Sequence, residues 1–332
     1  MRGNKWYPNE INKLKKIFSN KSNFELVSDF PRHSFKSIEK KASTLGYAKT
    51  FKHVCKAISK SKRKDDQLLK EWMGKDKLIG RPVLVNRRVL ELRSGKDYAE
   101  LGLFGDLHYG AMGCDIERAQ RQLDYYLLKR VYVLLMGDLI DCGLKSSVGD
   151  SVYEQKAQVQ EQLDFIFDLL KPLANAGLII GMYSGNHEFR VKKEVGLDIS
   201  KIWAKFLNIP YLGAAGWNIL KVGNQKYTLY GLHGSSGSRF VYTKLKALVD
   251  ISHSFDSDII AMGHVHELDS TFQVVQKIEG ETIIERKKLL VITGHYLKYE
   301  GGYVQRLGYP ISKLGSPKLK LFGNKKDIHV SN

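Results

Sequence analysis

The sequence predicts a layered α/β domain preceded by a small, basic, all-α segment. Three observations predict it. Five short apolar runs, AELGLFGD, VYVLLMGD, GLIIGMYSGN, KYTLYGLHG and SDIIAMGH, each end in glycine beside a polar or metal-binding residue. Amphipathic stretches at 115–130, 151–174 and 239–253 lie between most of them. Strand–helix alternation sustained over residues 99–266 is the pattern of a layered α/β fold. The charge is uneven as well: residues 1–80 hold 20 Lys/Arg against 8 Asp/Glu, and the remainder holds 33 against 27.

Residues 1–50 read as a compact three-helix unit. In PNEINKLKKIF, Ile11, Leu14, Ile17 and Phe18 fall at helical spacing, with Pro8 near the start. NFELVSDF gives a short second helix. SFKSIEKKASTLGY gives a third, with Ser34 as N-cap, Ile38, Ala42 and Leu45 on one face and Gly46 as the stop. Residues 51–84 are charged and poorly patterned except near Leu68–Met73, which suggests a linker with one helix. Residues 85–332 form the α/β domain.

The bulk properties bound the function. A chain of 332 residues with net charge +18 is a globular protein of roughly two domains. A basic N-terminal segment points to an anionic partner, although a solvated Lys-rich surface has the same composition. No apolar run approaches the ~20 residues of a membrane helix, and no secretory h-region is visible. The three cysteines, Cys55, Cys114 and Cys142, form neither a disulfide framework nor a zinc-type CxxC. A cytoplasmic location, away from membranes, is the expectation.

The strand ends carry the chemistry. In order come Gly105-Asp106-Leu107-His108, Gly137-Asp138-Leu139-Ile140-Asp141, Gly185-Asn186-His187-Glu188, Leu232-His233-Gly234 and Gly263-His264-Val265-His266. One histidine after a strand is usually an ordinary imidazole. Five such loops in series are hard to produce by chance, and ligand sites of α/β sheets gather at strand ends. These loops resemble the motifs of the calcineurin-like metallophosphoesterases, which implies hydrolysis of a phosphate ester, a reaction that needs a strong nucleophile and neutralised phosphoryl oxygens. Two metal ions about 3.5–4 Å apart supply both, by acidifying water and clamping the phosphoryl group. Mixed imidazole, carboxylate and amide donors suit Mn, Fe or Zn.

The ordered set DLH, GDLID, GNHE, LHG and GHVH resembles the motifs of the calcineurin-like metallophosphoesterases. The resemblance covers residues 99–266, with a less diagnostic strand region to about 300. It implies a β-sandwich flanked by helices and two divalent ions, with Mn favoured. It implies that Asp106, His108 and His266 hold one ion, that Asn186, His233 and His264 hold the other, and that Asp138 bridges them. It also gives His187 the role of general acid, or of donor to the phosphoryl oxygens, with Asp141 orienting its ring. His253 is the rival to His233, but it falls in a helical stretch. Glu188 is expected to make a structural hydrogen bond. Arg190 is within reach of a substrate phosphate, but a solvated or ion-paired side chain is the expectation. His295 has no slot in the metal set and could touch substrate, but a packed or exposed loop residue is the expectation.

Absences narrow the substrate. Phosphoprotein phosphatases of this superfamily extend the motifs to GDxxDRG and RGNHE, whose arginines clamp a monoester dianion. Here Cys142 and Ser184 occupy those places, which disfavours a protein phosphatase and leaves diesterases in play. The basic N-terminal unit loosely resembles Myb/SANT-like helix-turn-helix units, in which a third helix enters the DNA major groove. Arg32, Lys36, Lys40 and Lys41 would face nucleic acid, DNA above all. The expected function is a nuclease-like phosphodiesterase. Its alternatives are a cyclic-nucleotide or small-molecule phosphodiesterase or phosphatase, with the N-terminal unit used for protein contacts, and a non-catalytic DNA-binding module.

Overall fold

The computed structural model describes residues 6–18, 26, 29–45, 85–92, 95–144, 155–235, 240–300, 305, 308 and 310–332. The chain divides into two compact units, Met1–Val83 and Leu84–Asn332.

In the first unit, α1 spans Pro8–Ile17 and α2 spans Phe35–Thr44. Pro8 opens α1, where its missing N–H is no loss. The Ser34 hydroxyl caps α2 by accepting from Ser37 N at 3.3 Å. Leu14, Phe18, Leu26, Phe30, Ile38 and Ala42 form one small core. Trp6 packs beside it and stacks on His33 with ring centroids 3.8 Å apart. Of the expected second helix, NFELVSDF, only Leu26, Asp29 and Phe30 are described; the first two are helical and Phe30 is not. Gly46 and the expected linker at 51–84 lie outside the described residues.

The second unit is built on two sheets. One holds β1 (Asn86–Leu90), β5 (Ala215–Val222), β6 (Gln225–Leu232), β7 (Ile259–Met262), β9 (Thr282–Thr293) and β8 (Leu268–Glu279), in that spatial order. The other runs β11 (Ile328–Ser331), β10 (Lys318–Phe322), β2 (Tyr98–Phe104), β3 (Tyr132–Leu135) and β4 (Ile179–Met182). Strands β2, β3 and β4 are parallel, as are β6, β7 and β9.

The period-two alternation of the apolar runs builds the layers. Leu101, Leu103, Leu134 and Ile180 point between the sheets, where they meet Leu229, Ile259, Ala261, Leu289 and Val291. Phe104, Val133, Leu135 and Met182 point the other way, into a core with helices α3 (Ile116–Leu128), α4 (Val159–Asn175), α5 (Asn186–Val195) and α6 (Ile199–Phe206). Ile260, Met262, Leu290 and Ile292 face helix α7 (Val241–Ser252). The layers are therefore helices, sheet, sheet, helix. Among the described residues no helix is long and apolar enough to cross a membrane.

Two helices differ from the sequence reading. GNHE was expected in a loop, yet Asn186 begins α5, and α6 was not anticipated. The α5 sequence NHEFRVKKEV buries only Glu188 and Val191, so it carries almost no apolar stripe to read.

Candidate metal centre

Each strand of the two parallel triplets, β2–β3–β4 and β6–β7–β9, is followed within four residues by a polar side chain. Asp106 follows β2, Asp138 follows β3, Asn186 follows β4, His233 follows β6, His264 follows β7 and His295 follows β9. Backbone bonds fasten neighbouring loops: Asp106 N donates to Gly137 O at 2.9 Å and His108 N to Asp138 O at 3.0 Å. The described non-glycine residues with positive φ include Asp106 (48°), His108 (51°), Asp138 (50°), His264 (68°) and His266 (50°). L-residues avoid this left-handed region, so its concentration here marks backbone bent to aim side chains at one point.

The side chains do converge. His108 Nε2 lies 2.9 Å from His266 Nε2, and His266 Nε2 lies 3.4 Å from Asp106 Oδ1. His233 Nε2 lies 2.9 Å from Asn186 Oδ1, and His264 Nδ1 lies 2.7 Å from the same oxygen. Asp138 Oδ2 stands between the groups, 3.1 Å from His233 Nε2 and 3.8 Å from the Nε2 atoms of both His108 and His187. Donor atoms of Asp106, His108 and His266 lie within 4.8 Å of one another, and so do those of Asp138, His233 and His264. His108, Asp138 and His187 form a third such group, so His187 is within ligand reach as well.

The chemistry of the donors fits cations. Asp138 Oδ2 is buried and has no hydrogen-bond partner among the described residues. Such an orphan is costly unless a charge meets it. His233 Nδ1 donates to Met136 O at 2.8 Å, which leaves Nε2 facing two acceptor oxygens, of Asn186 and Asp138. Only a proton or a metal ion at that spot makes the contact attractive. Burial lowers the His233 pKa, but the negative charge of the Asp138 carboxylate outweighs burial and pushes it up to about 10. The site thus draws positive charge. His108 is the opposite case: burial and the neighbouring His187 bring it down to about 4, so it presents a neutral imidazole suited to ligation.

Glu188 ties the loops together. Its carboxylate accepts from Asp138 N at 3.1 Å, Leu139 N at 2.7 Å and Gly185 N at 3.0 Å. Burial and Asp138 push its pKa up to about 7 against those donors. At Gly185 a Cβ would run into the Asp138 carboxylate and backbone, so only glycine lets the β3 and β4 loops approach this closely.

His187 and Arg190 occupy the open side. His187 Nδ1 donates to the Asp141 backbone carbonyl at 2.5 Å and lies 3.4 Å from its Oδ1. Asp141 therefore holds the ring through its main chain as well as its carboxylate, and the same Oδ1 is 3.3 Å from His108 Nδ1. Arg190 is half-buried and hydrogen-bonded. Nη1 donates to Asp141 O at 3.1 Å, and Nη2 lies 2.9 Å from His187 Nε2. Its place beside His187 rests on the i+3 spacing between them, legible only once α5 is a helix.

The remaining expectations sort simply. His253 caps the C-terminus of α7 and is exposed, away from the cluster. His295 is packed: it is buried, stacks on His266 with centroids 5.2 Å apart, and lies 2.6 Å from Ser312 Oγ. Cys142 and Ser184 are buried. In the other unit, Arg32 lies over the Tyr7 ring at 4.7 Å, Lys36 and Lys40 are exposed, and Lys41 is half-buried.

Residues 100–299 match the family model described as calcineurin-like phosphoesterase. No curated protein matches the chain. Solved structures similar to it include Vacuolar Protein Sorting 29 from Cryptosporidium parvum, at 15% identity over 71% of this chain and 98% of that chain with a TM-score of 0.35. A predicted phosphoesterase from Streptococcus pneumoniae is 13% identical over 71% of this chain and 100% of that chain, with a TM-score of 0.32. Yfce, a phosphoesterase from E. coli, is 14% identical over 70% and 98%, with a TM-score of 0.33.

Proposed function

The chain belongs to the calcineurin-like phosphoesterase family and is a metal-dependent phosphoesterase; from that premise we propose that it is a phosphodiesterase acting on nucleic acid. The observation that carries the diester reading is the guanidinium count at the site. Cys142 and Ser184 replace the two arginines that would clamp a monoester dianion. Arg190 alone, among the described residues, brings a guanidinium to His187. One guanidinium suits the single charge of a diester.

Asp106, His108 and His266 would hold one divalent ion, and Asn186, His233 and His264 the other, with Asp138 shared. When bound, the pair neutralises phosphoryl oxygens and lowers the pKa of water. Manganese is favoured over iron and zinc for the mixed oxygen and nitrogen donors. The chain's own groups do the rest. Arg190 leaves His187 Nε2 to meet the phosphate. His187, held at Nδ1 by the Asp141 carbonyl, then delivers a proton from Nε2 to the leaving oxygen. Burial pulls the His187 pKa down, yet the Asp138 and Asp141 carboxylates raise it above the ordinary value, which supports a protonated ring.

The basic N-terminal unit supports DNA as the substrate polymer. Its net charge of +12 over residues 1–80 and the exposed Lys36 and Lys40 suit phosphate contacts. Cys114 and Cys142 are free thiols, which suits the cytoplasm.

The test is a matrix of metals against substrates. Mn, Fe, Zn and Mg would each be tried with single- and double-stranded DNA, RNA, a cyclic nucleotide, an aryl phosphodiester and an aryl phosphomonoester. Cleavage of DNA and the aryl diester, in preference to the monoester, is expected. Turnover of the cyclic nucleotide with DNA left intact would replace the nucleic-acid reading with the small-molecule one.

A further inference from the structure

Two amides, buried Gln162 and half-buried Gln155, link α4 to the site. Gln162 lies in the same stripe of α4 as Ile166, Leu169, Leu170 and Leu173, a place for an apolar residue, and it is fully buried. Its Oε1 accepts from Cys142 N at 3.0 Å, and its Nε2 donates to Gln155 Oε1 at 2.7 Å and Ala157 O at 2.8 Å. Gln155 Nε2 in turn donates to Asp141 Oδ2. That leaves Asp141 Oδ1 to face the Nδ1 atoms of His108 and His187, at 3.3 and 3.4 Å.

The surroundings are shaped to this amide. At Gly110, with φ of 105°, a Cβ would run into the Gln162 side-chain amide. The Gln155 segment is fixed to the loop after His108 by an Ala111–Gln155 bridge and by Lys156 N donating to Gly110 O at 2.6 Å. Cys142, which Gln162 holds at its N–H, has a left-handed φ of 48°. A buried primary amide is costly unless its donors and acceptor are met, and here they are.

We propose that Gln162 is a positioning residue. It orients Gln155, which fixes the rotation of the Asp141 carboxylate and through it the rings of His108 and His187. This rests on the phosphodiesterase reading only for its kinetic readout.

The test is a double-mutant cycle on the full chain. Gln162→Met keeps the side chain's length and removes the amide. With a saturating aryl phosphodiester, kcat should fall about 10- to 100-fold with KM little changed, the usual range for partners behind a metal site. Manganese affinity, measured by calorimetry, should weaken as well. Placed in an Asp141→Ala background, the same substitution should add nothing to either loss, because the effect runs through Asp141. Losses that multiply in the double variant would overturn the proposal. So would a Gln162→Met chain that melts earlier yet keeps turnover and metal affinity. If the native chain cleaves no phosphoester, the functional reading fails, and the calorimetric cycle still decides the relay. If Gln162→Met does not fold, Gln155→Met runs the same cycle from outside α4.

Discussion

His187 is the residue whose role the geometry divides most finely. Its Nε2 is near enough to Asp138 and His108 to join a metal site, yet Arg190 also meets it at 2.9 Å. The two roles give opposite results in one variant. As a general acid, His187→Ala keeps full metal content and loses about 100- to 10,000-fold in turnover of poor leaving groups. The loss shrinks for nitrophenolate, which needs no proton. Loss of one metal per chain, or an equal loss on good and poor leaving groups, would remove the acid role. At this scale the sequence was highly legible. Asp106, His108, Asp138, Asn186, His233, His264 and His266 all follow apolar runs and converge in space. Arg190 stood out as a charge within reach of phosphate, but its contact with His187 was not legible, because it depends on a helix turn rather than on a strand end. The two-sided role of Asp141 was hidden too, since half of it belongs to a backbone carbonyl.

At the scale of elements, strands were readable and short charged helices were not. Runs such as VYVLLMGD declare themselves because both faces of a central strand are buried. Helix α5 hides because its buried Glu188 looks like a surface residue in sequence. That carboxylate joins the β3 and β4 loops through Asp138 N, Leu139 N and Gly185 N. Glu188→Ala strands these buried donors, at about 1–3 kcal/mol each if water does not reach them. Urea unfolding of the metal-free protein should therefore show a loss of at least about 2 kcal/mol with an unchanged slope. A loss below about 0.5 kcal/mol would mean that other groups fasten the loops.

At the scale of the whole molecule, two units with different charge share one chain. The second unit's layers follow from its apolar periodicity, whereas the first unit's basic surface says little beyond its attraction to anions. If residues 1–50 bind DNA through phosphates, log affinity falls with log salt by about 0.9 per neutralised phosphate. Changing Arg32, Lys36, Lys40 and Lys41 together to Ala should flatten that slope and weaken DNA binding, while turnover of a small aryl diester stays unchanged. DNA affinity that ignores both salt and the four changes would turn the unit toward protein contacts. The central claim, however, is the pair of ions around Asp138. It is tested most directly by anaerobic metal analysis of active protein beside its Asp138→Asn variant, with aryl diester turnover before and after chelation. The account predicts two metals per chain, activity lost to chelator and restored by manganese, and a variant that fails to retain both ions. Full activity in metal-free protein, or an Asp138→Asn variant with unchanged metal content and turnover, would contradict it.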